Sequence, residues 1–190
     1  MERHDKPSQK QQIAAYFVLI NKAIVPLQYS MKYLFFLLVC LISFALKAEP
    51  DSVSRVNREQ RVDSVIQKAA TYLGVNYCRG GVTRNCFDCS GFVQRIFAFY
   101  GYALPHSSAA MAKEGVPVKR KEDLQPGDLV FFKGRNVKSK AVGHVGIVVQ
   151  NDGFIITFIH ASVNKGICFD EIESSNYYRL RYLGGRRIIQ

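Results

Sequence analysis

The feature that most constrains the fold is a change of hydrophobic period along the chain, which falls at the turn signal Pro126-Gly127. Before it, apolar residues recur at helical spacing over 59–73 and 89–100, and a glycine closes each stretch. After it come short β-rich runs separated by turn residues, at 129–132, 145–149, 154–160 and 166–169, with a last strand predicted from 178–182 and 187–189. Helices followed by strands predict an α+β domain rather than an alternating βαβ protein.

The composition is that of a folded protein with a basic surface. Of the 190 residues, 48% are apolar and 22% are charged, which excludes a disordered chain, a collagen-like repeat and a coiled coil. Lys and Arg number 26 against 15 Asp and Glu, a formal net charge of +11. A positive surface favours an anionic partner, whether nucleic acid, an anionic membrane or an acidic cell-wall polymer. The charge alone does not choose among them.

Residues 31–48 have the layout of a secretory signal peptide. Lys32 precedes an uncharged and mostly apolar run over 33–46, and the small residue Ala48 follows soon after. The run is short for a membrane span, which needs about 20 residues, although an uncleaved N-terminal anchor stays open as an alternative. We therefore predict an exported protein of the periplasm or cell envelope.

The segments on either side of this signal are predicted to lie outside the folded domain. Residues 1–30 do not fit a signal that starts at Met1, so we interpret them as an upstream extension and Met31 as the real start. Residues 49–58 are polar and are predicted to be a linker. The folded domain is then predicted over 59–190.

A cysteine stands at the start of the second predicted helix, in Phe87-Asp88-Cys89-Ser90-Gly91. Free backbone N–H groups and the helix dipole at that place favour negative charge, which predicts that the Cys89 thiol is shifted toward the nucleophilic thiolate. Asp88 can cap the helix, and the small Ser90 leaves the sulfur reachable. Such a nucleophile needs a nearby base and a group that orients the base.

Two histidines on successive predicted strands can provide the base and the orienting group. His144 lies between Gly143 and Val145 at the start of one strand, and His160 ends the next. Antiparallel neighbours are about 4.8 Å apart, which lets the two imidazoles meet, one as the base and the other fixing its tautomer. Each residue alone is more often structural, but a cysteine at a helix start with two such histidines favours a nucleophilic site.

Over about residues 59–189 the chain resembles the NlpC/p60 cell-wall cysteine peptidases, which have a papain-like fold. The resemblance rests on ordered motifs: Leu73-Gly74-Val75-Asn76-Tyr77 with Gly80-Gly81, Asp88-Cys89-Ser90-Gly91-Phe92, Leu104-Pro105 with Ser107, Leu124-Gln125-Pro126-Gly127-Asp128-Leu129-Val130-Phe131-Phe132, and Gly143-His144-Val145-Gly146-Ile147 followed by His160-Ala161-Ser162. It implies N-terminal helices packed on a mostly antiparallel sheet or partial barrel of five to six strands.

The resemblance also implies the site. Cys89 matches the family nucleophile, His144 the general base and His160 the third, orienting residue. Tyr77 matches a tyrosine near the oxyanion, together with the backbone N–H of Cys89. Asp88 and Ser90, on either side of Cys89, are predicted to belong to the same oxyanion and substrate-binding region.

The implied activity is hydrolysis of amide bonds in peptidoglycan stem peptides or cross-links, through a thioester acyl-enzyme. It needs no metal and no cofactor. Peptidoglycan is the implied partner. We predict no nucleic-acid partner and identify no protein partner, so the protein is expected to be a monomer.

The chain departs from the family pattern at several polar residues. His106 stands where the family often has Arg, and we interpret it as a residue of the cleft rim. Asp128 is predicted to be a structural turn residue rather than a triad carboxylate. Cys78 and Cys86 are predicted to form a disulfide or to be two buried thiols. A sharper hypothesis is a bridge between Cys86 and Cys89 that switches the enzyme off under oxidation.

Three other interpretations stay open at this point. The first is a redox or metal protein built on Cys86 and Cys89. A redox protein of this kind would need a βαβ context, which the pattern lacks, and a structural zinc site would need a second close ligand pair. The second is a cell-wall-binding module without catalysis. The third is an amidase, transpeptidase or acyltransferase on the same fold.

Overall fold

The computed structural model describes residues 50–190, with side chains from Arg55 onward. The predicted extension over 1–30 and the predicted signal over 31–48 lie outside the described residues. Residues 52–190 pack as one compact unit. None of the helices from Pro50 onward combines the length and the apolar character that crossing a membrane requires.

The first helix, α1, spans Pro50–Ala70 and corrects the predicted linker, because residues 50–58 are helical. The apolar period did not reveal this part, since the side chains of Arg55, Val56 and Asn57 are exposed and need no apolar face. A proline is also well suited to the first helical turn, where its missing N–H has no partner to lose.

Three further helices follow α1 along the chain. Helix α2 (Cys89–Ala98) starts at the predicted cysteine. Helix α3 (Ser108–Met111) is capped by Ser107, whose hydroxyl accepts from the Ala110 N–H. Helix α4 covers Asn176–Arg179, and a 3₁₀ turn covers Lys121–Asp123.

Two sheets complete the fold. Their strands are β1 (Asn76–Tyr77), β2 (Val82–Thr83), β3 (Cys86–Phe87), β4 (Val116–Val118), β5 (Leu129–Lys133), β6 (Val142–Asn151), β7 (Ile156–Ser162), β8 (Gly166–Glu171) and β9 (Tyr182–Arg187). The main sheet has six strands in the order β4-β9-β5-β6-β7-β8, and all its pairings are antiparallel. This confirms the predicted α+β class and sheet. The small sheet is ordered β1-β3-β2, and the sequence pattern gave no sign of it, because strands of two residues are too short to show alternation.

The predicted last strand was wrong in its position. Tyr178 lies in α4 rather than in a strand, and the strand runs over Tyr182–Arg187 instead. Its centre is Gly184-Gly185, and glycine is depleted in strands, so the pattern hid this element. The aromatic residues just before it gave a false strand signal.

Both faces of the sheet are covered, which explains the uninterrupted apolar run at β5. Leu129 and Phe131 pack with the buried residues of α1 and α2 on one face. Val130 and Phe132 pack on the other face with Phe158, and with Tyr178 from α4. A strand buried on both faces has no polar alternation. The second face also carries the two histidines, as described below.

The buried carboxylate of Asp128, just before β5, contacts both the first helix and the last strand. The Asp128 side chain is fully buried and accepts from the Gln125 N–H at 2.8 Å. It also accepts from Nε and Nη2 of Arg187 at 2.9 and 2.8 Å, while Arg58 of α1 lies 3.8 Å away. These contacts give Asp128 the structural role that we predicted from its turn.

We expect Asp128→Asn to lower the free energy of unfolding by about 3 kcal/mol, because the Arg187 guanidinium loses its charged partner in a mostly buried site. Urea denaturation of the purified variant measures this loss. Asp123→Asn is the matched control, since Asp123 pairs with Arg120 at the surface; it should cost less than about 1 kcal/mol. Equal losses for the two variants would contradict the role of Asp128.

A disulfide joins Cys78 to Cys86 and closes the loop of the small sheet. This agrees with one of the two pairings that we considered for these cysteines. The hypothesis of a Cys86–Cys89 bridge was wrong in this structure, because Cys86 is bonded to Cys78 and Cys89 is a free thiol.

Alkylation of the native protein without reductant should therefore label Cys89 and Cys168 and leave Cys78 and Cys86 in one linked peptide. Mass spectrometry of the digested protein checks this, and a Cys86→Ser variant should release Cys78 for alkylation. A linked peptide that contains Cys89 would restore the bridge hypothesis.

Candidate active site

The start of α2 is held by Asp88, which is its N-cap residue. Its carboxylate accepts from the Gly91 N–H at 2.6 Å, the Ser90 hydroxyl at 3.0 Å and the Gly80 N–H at 3.0 Å. Such bonds satisfy the free N–H groups of a first helical turn. Asp88 and Ser90 thus fix the position of Cys89, and their predicted contact with substrate stays a prediction.

Glycine at position 91 lets the small sheet pack directly on the helix. A Cβ there would lie only 2.0 Å from the carbonyl oxygen of Gly81. On the outer side of the helix start, Nε2 of His106 lies 3.0 Å from Oδ2 of Asp88. His106 is partly exposed, which agrees with the predicted place at the cleft rim. Its contact with Asp88 also argues against a role as the base.

The Cys89 thiol is under opposing influences. Burial raises its pKa, and the backbone amides of Val145, Ser90 and Cys89 itself lower it. The Asp88 carboxylate adds to the increase, and the net direction is upward. This corrects the expectation that the helix start alone shifts Cys89 to the thiolate. The thiolate requires a proton acceptor, and the Val145 amide at the sulfur belongs to the residue after His144.

The two predicted histidines meet on β6 and β7. Nε2 of His144 lies 2.8 Å from Nδ1 of His160, and the two rings are nearly perpendicular at 86°. Gly146 makes room for this pair, because a Cβ there would lie 3.2 Å from the Cβ of His160 and 2.6 Å from Cδ2 of Phe158. The predicted approach of the two imidazoles is confirmed.

The sequence analysis missed a carboxylate behind His160. Asp170 on β8 places Oδ2 3.0 Å from Nε2 of His160, and Lys165 binds its Oδ1 at 2.9 Å. The hydrogen bond from His160 and the contact with Lys165 hold the pKa of Asp170 well below its usual range, so it is ionised. The signal lay in the predicted turn after His160, since a hairpin there pairs His160 with Cys168 and puts Asp170 two residues along on the same face.

These contacts assign the tautomers of both imidazoles. The ionised Asp170 can only accept, so Nε2 of His160 carries a hydrogen, and an imidazole with one hydrogen has its acceptor lone pair on the other nitrogen, here Nδ1. Nε2 of His144 must then donate to it, which leaves the lone pair of neutral His144 on Nδ1. The Nδ1 atom of His144 is thus prepared to take a proton.

Burial lowers the pKa of His144 to about 3, and the neighbouring His160 acts in the same direction. Asp170 opposes this shift. The resting imidazole is therefore neutral at pH 7 and able to act as a base. Once it is protonated, the chain through His160 to Asp170 supplies the compensating negative charge.

Tyr77 of β1 packs against the same core cluster as Cys89. Burial and the neighbouring Cys89 raise the pKa of Tyr77, so its hydroxyl is protonated at neutral pH and can donate a hydrogen bond. The positive charges of Arg79 and Arg135 also act on Tyr77. A protonated phenol beside the sulfur is consistent with the predicted oxyanion donor.

Of the cysteines that the structure describes, Cys89 and Cys168 are free. Cys168 lies near a histidine, with Sγ 3.7 Å from Nε2 of His160. However, burial and the adjacent carboxylate of Asp170 both raise its pKa, and it lies within a strand rather than at a helix start. Only Cys89 has the surrounding backbone amides that stabilise an anion.

Comparisons with known proteins agree with this geometry. The chain is 34% identical over 147 residues to the murein DD-endopeptidase MepS/murein LD-carboxypeptidase of Escherichia coli K12, covering 76% of this chain and 73% of that protein. It is 40% identical over 119 residues to a probable endopeptidase of Haemophilus influenzae, covering 62% of this chain and 68% of the relative.

A solved structure shares the fold. An NlpC/P60 family protein from Bacillus cereus matches with a TM-score of 0.61 and 30% identity, over 68% of this chain. The match spans 40% of the length of that protein. The sequence model of the NlpC/P60 family matches residues 74–187, which include every residue of the site described above. The chain therefore belongs to the NlpC/P60 family.

Proposed function

We propose that the protein is an exported cysteine endopeptidase that hydrolyses amide bonds in peptidoglycan stem peptides or cross-links. The observation that carries this proposal is the ordered set of Cys89 at a helix start and the hydrogen-bonded pair of His144 and His160. Family membership and a relative named as a murein endopeptidase support peptidoglycan as the substrate. The enzyme acts as a monomer in the periplasm or cell envelope.

The reaction begins when the Cys89 sulfur attacks the carbonyl carbon of the scissile amide. Nδ1 of His144 takes the thiol proton, so the thiolate forms as the bond is made. The oxyanion accepts hydrogen bonds from the Cys89 backbone N–H and the Tyr77 hydroxyl. His144 then protonates the leaving amine, and a thioester remains on Cys89. Water, deprotonated by His144, hydrolyses that acyl-enzyme.

The charge around the cleft suits an anionic substrate. Arg79 and Arg135 lie close enough to Tyr77 for their positive charges to act on its pKa. They lower it, although burial and Cys89 raise it by more. The loop between β5 and β6 adds Lys138 and Lys140, and the whole chain has a net charge of +11. A stem peptide with free carboxylates gains from such a cationic rim. This gives a use for the basic surface that does not involve nucleic acid.

Purified protein should release new peptide fragments from peptidoglycan, detected by mass spectrometry under reducing conditions. Cys89→Ala should lower this activity by about 10⁴-fold or more, because no other group can form the acyl-enzyme. The fragments also name the bond that is cut.

Cys168→Ala is the matched control, since it removes the other free cysteine of the described residues and should leave the digestion unchanged. Activity that follows Cys168 rather than Cys89 would contradict the assignment of the nucleophile. If neither wild type nor variant releases fragments, a binding module or an acyltransferase becomes the better interpretation.

Asp170→Asn should reduce kcat by about 10–100-fold and leave KM within about twofold, because an amide no longer enforces the His160 tautomer. Asp170 is a positioning residue in this proposal, since it acts through His160. Steady-state kinetics and a thermal melt of the variant measure the effect. Glu171→Gln, the next residue on β8, should leave kcat unchanged; an equal loss in both variants, or a loss in KM alone, would contradict this role.

A further inference from the structure

His160 and two side chains behind it, Cys168 and Asp170, form a cluster that the proposed reaction does not fully use. Nε2 of His160 lies 3.7 Å from Sγ of Cys168 and 3.0 Å from Oδ2 of Asp170. Sγ of Cys168 lies 3.9 Å from the same carboxylate oxygen. An imidazole nitrogen, a thiol sulfur and a carboxylate oxygen therefore converge from β7 and β8 within 4.8 Å of one another.

This triangle has the dimensions of a zinc site. Zinc binds nitrogen and oxygen at about 2.0–2.2 Å and sulfur at about 2.3 Å, so tetrahedral geometry separates the ligand atoms by about 3.3–3.6 Å. The observed separations of 3.0, 3.7 and 3.9 Å require only small side-chain adjustments to reach it. A thiolate and a carboxylate also balance the two charges of the ion, with water as a fourth ligand.

The ammonium group of Lys165 already pairs with the carboxylate of this cluster. Nζ of Lys165 lies 2.9 Å from Oδ1 of Asp170, and the Lys165 side chain is 61% exposed, so a metal ion can displace it. Asp170 also lines two cavities of about 290 and 520 Å³, and the first of them contains His144 and Tyr178 as well. An ion from solvent can therefore reach the carboxylate, whose oxygen lies within 4.8 Å of the thiol sulfur and the imidazole nitrogen.

We infer that His160, Cys168 and Asp170 form a binding site for zinc or a similar thiophilic divalent cation. We further infer that an ion there switches off the peptidase, a step that rests on the function proposed above. Sequence reasoning predicted no metal ligand because the cluster exists only once β7 and β8 pair. The metal takes no part in the reaction and acts as an inhibitor.

The inhibition follows from the tautomers of the two histidines. A metal ion on Nε2 of His160 displaces the hydrogen there, and the Nε2 hydrogen of His144 moves across the 2.8 Å hydrogen bond to Nδ1 of His160. His144 then carries its hydrogen on Nδ1 and has lost the lone pair that takes the thiol proton in the proposed reaction. Cys168 and Nε2 of His160 each lose a proton and Nδ1 of His144 gains one, so that one proton is released in total.

Cobalt(II) titration of the full-length chain carrying Cys89→Ala tests the site without any activity. We expect one equivalent of Co²⁺ to give a thiolate-to-cobalt charge-transfer band, which zinc removes because zinc binds more tightly than cobalt. Cys168→Ser in the same background is the blank and should lack the band. Identical spectra for the two proteins would overturn the site.

The second arm follows the ¹⁵N resonances of the imidazoles in the same Cys89→Ala protein. Zinc should move the hydrogen of His144 from Nε2 to Nδ1, and a chelator should reverse the change. An unchanged His144 tautomer at saturating zinc would overturn the mechanism. Both arms are independent of peptidoglycan digestion, so failure of the proposed function and failure of the metal site give different results.

Digestion assays complete the test. Zinc should inhibit the wild type, whereas Cys168→Ser should keep its basal activity and need at least about tenfold more zinc for the same inhibition. Lys165→Gln should need less zinc than the wild type, because the competing ammonium is gone. Mg²⁺, which prefers oxygen ligands, should have no effect. Equal zinc sensitivity of wild type and Cys168→Ser would place the ion on Cys89 and His144 and overturn the proposal.

Discussion

The pairing register of three neighbouring strands is the constraint on which the site depends. Antiparallel pairing of β6, β7 and β8 puts His144, His160 and Asp170 in line on one face of the sheet. Side chains alternate between faces, so a slip by one residue would send an imidazole to the opposite face. The buried aromatic residues on the same face, including Phe158 and Tyr178, fix that register. The hydrogen-bond chain is thus a product of hydrophobic packing.

Burial sets the resting protonation states of Cys89 and His144. It raises the pKa of Cys89 and lowers that of His144, so the thiol and the imidazole are both neutral at rest. An ion pair at rest would need more compensating charge than the backbone amides provide. Asp170 keeps its negative charge two hydrogen bonds away from the base. The arrangement favours charge separation only while substrate is being attacked.

The positions of Cys89 and both histidines could be predicted because each lies in a local motif, at a helix start or on a short apolar strand. Asp170 could not, since its place depends on the register of the β7–β8 hairpin rather than on its neighbours in sequence. Helix α1 was underestimated because Arg55, Val56 and Asn57 are exposed and form no apolar face. Strand β9 was displaced because its two central glycines lack strand propensity.

The strand order carries a consequence for how the domain is made. Strand β9 is the last along the chain, yet it lies between β4 and β5 in the sheet, where Arg187 meets Asp128. Until position 187 is available, β5 has one open edge and the buried carboxylate of Asp128 lacks both of its bonds to Arg187. The sheet is therefore completed only when β9 pairs with both β4 and β5, and a chain interrupted before β9 exposes two strand edges to aggregation.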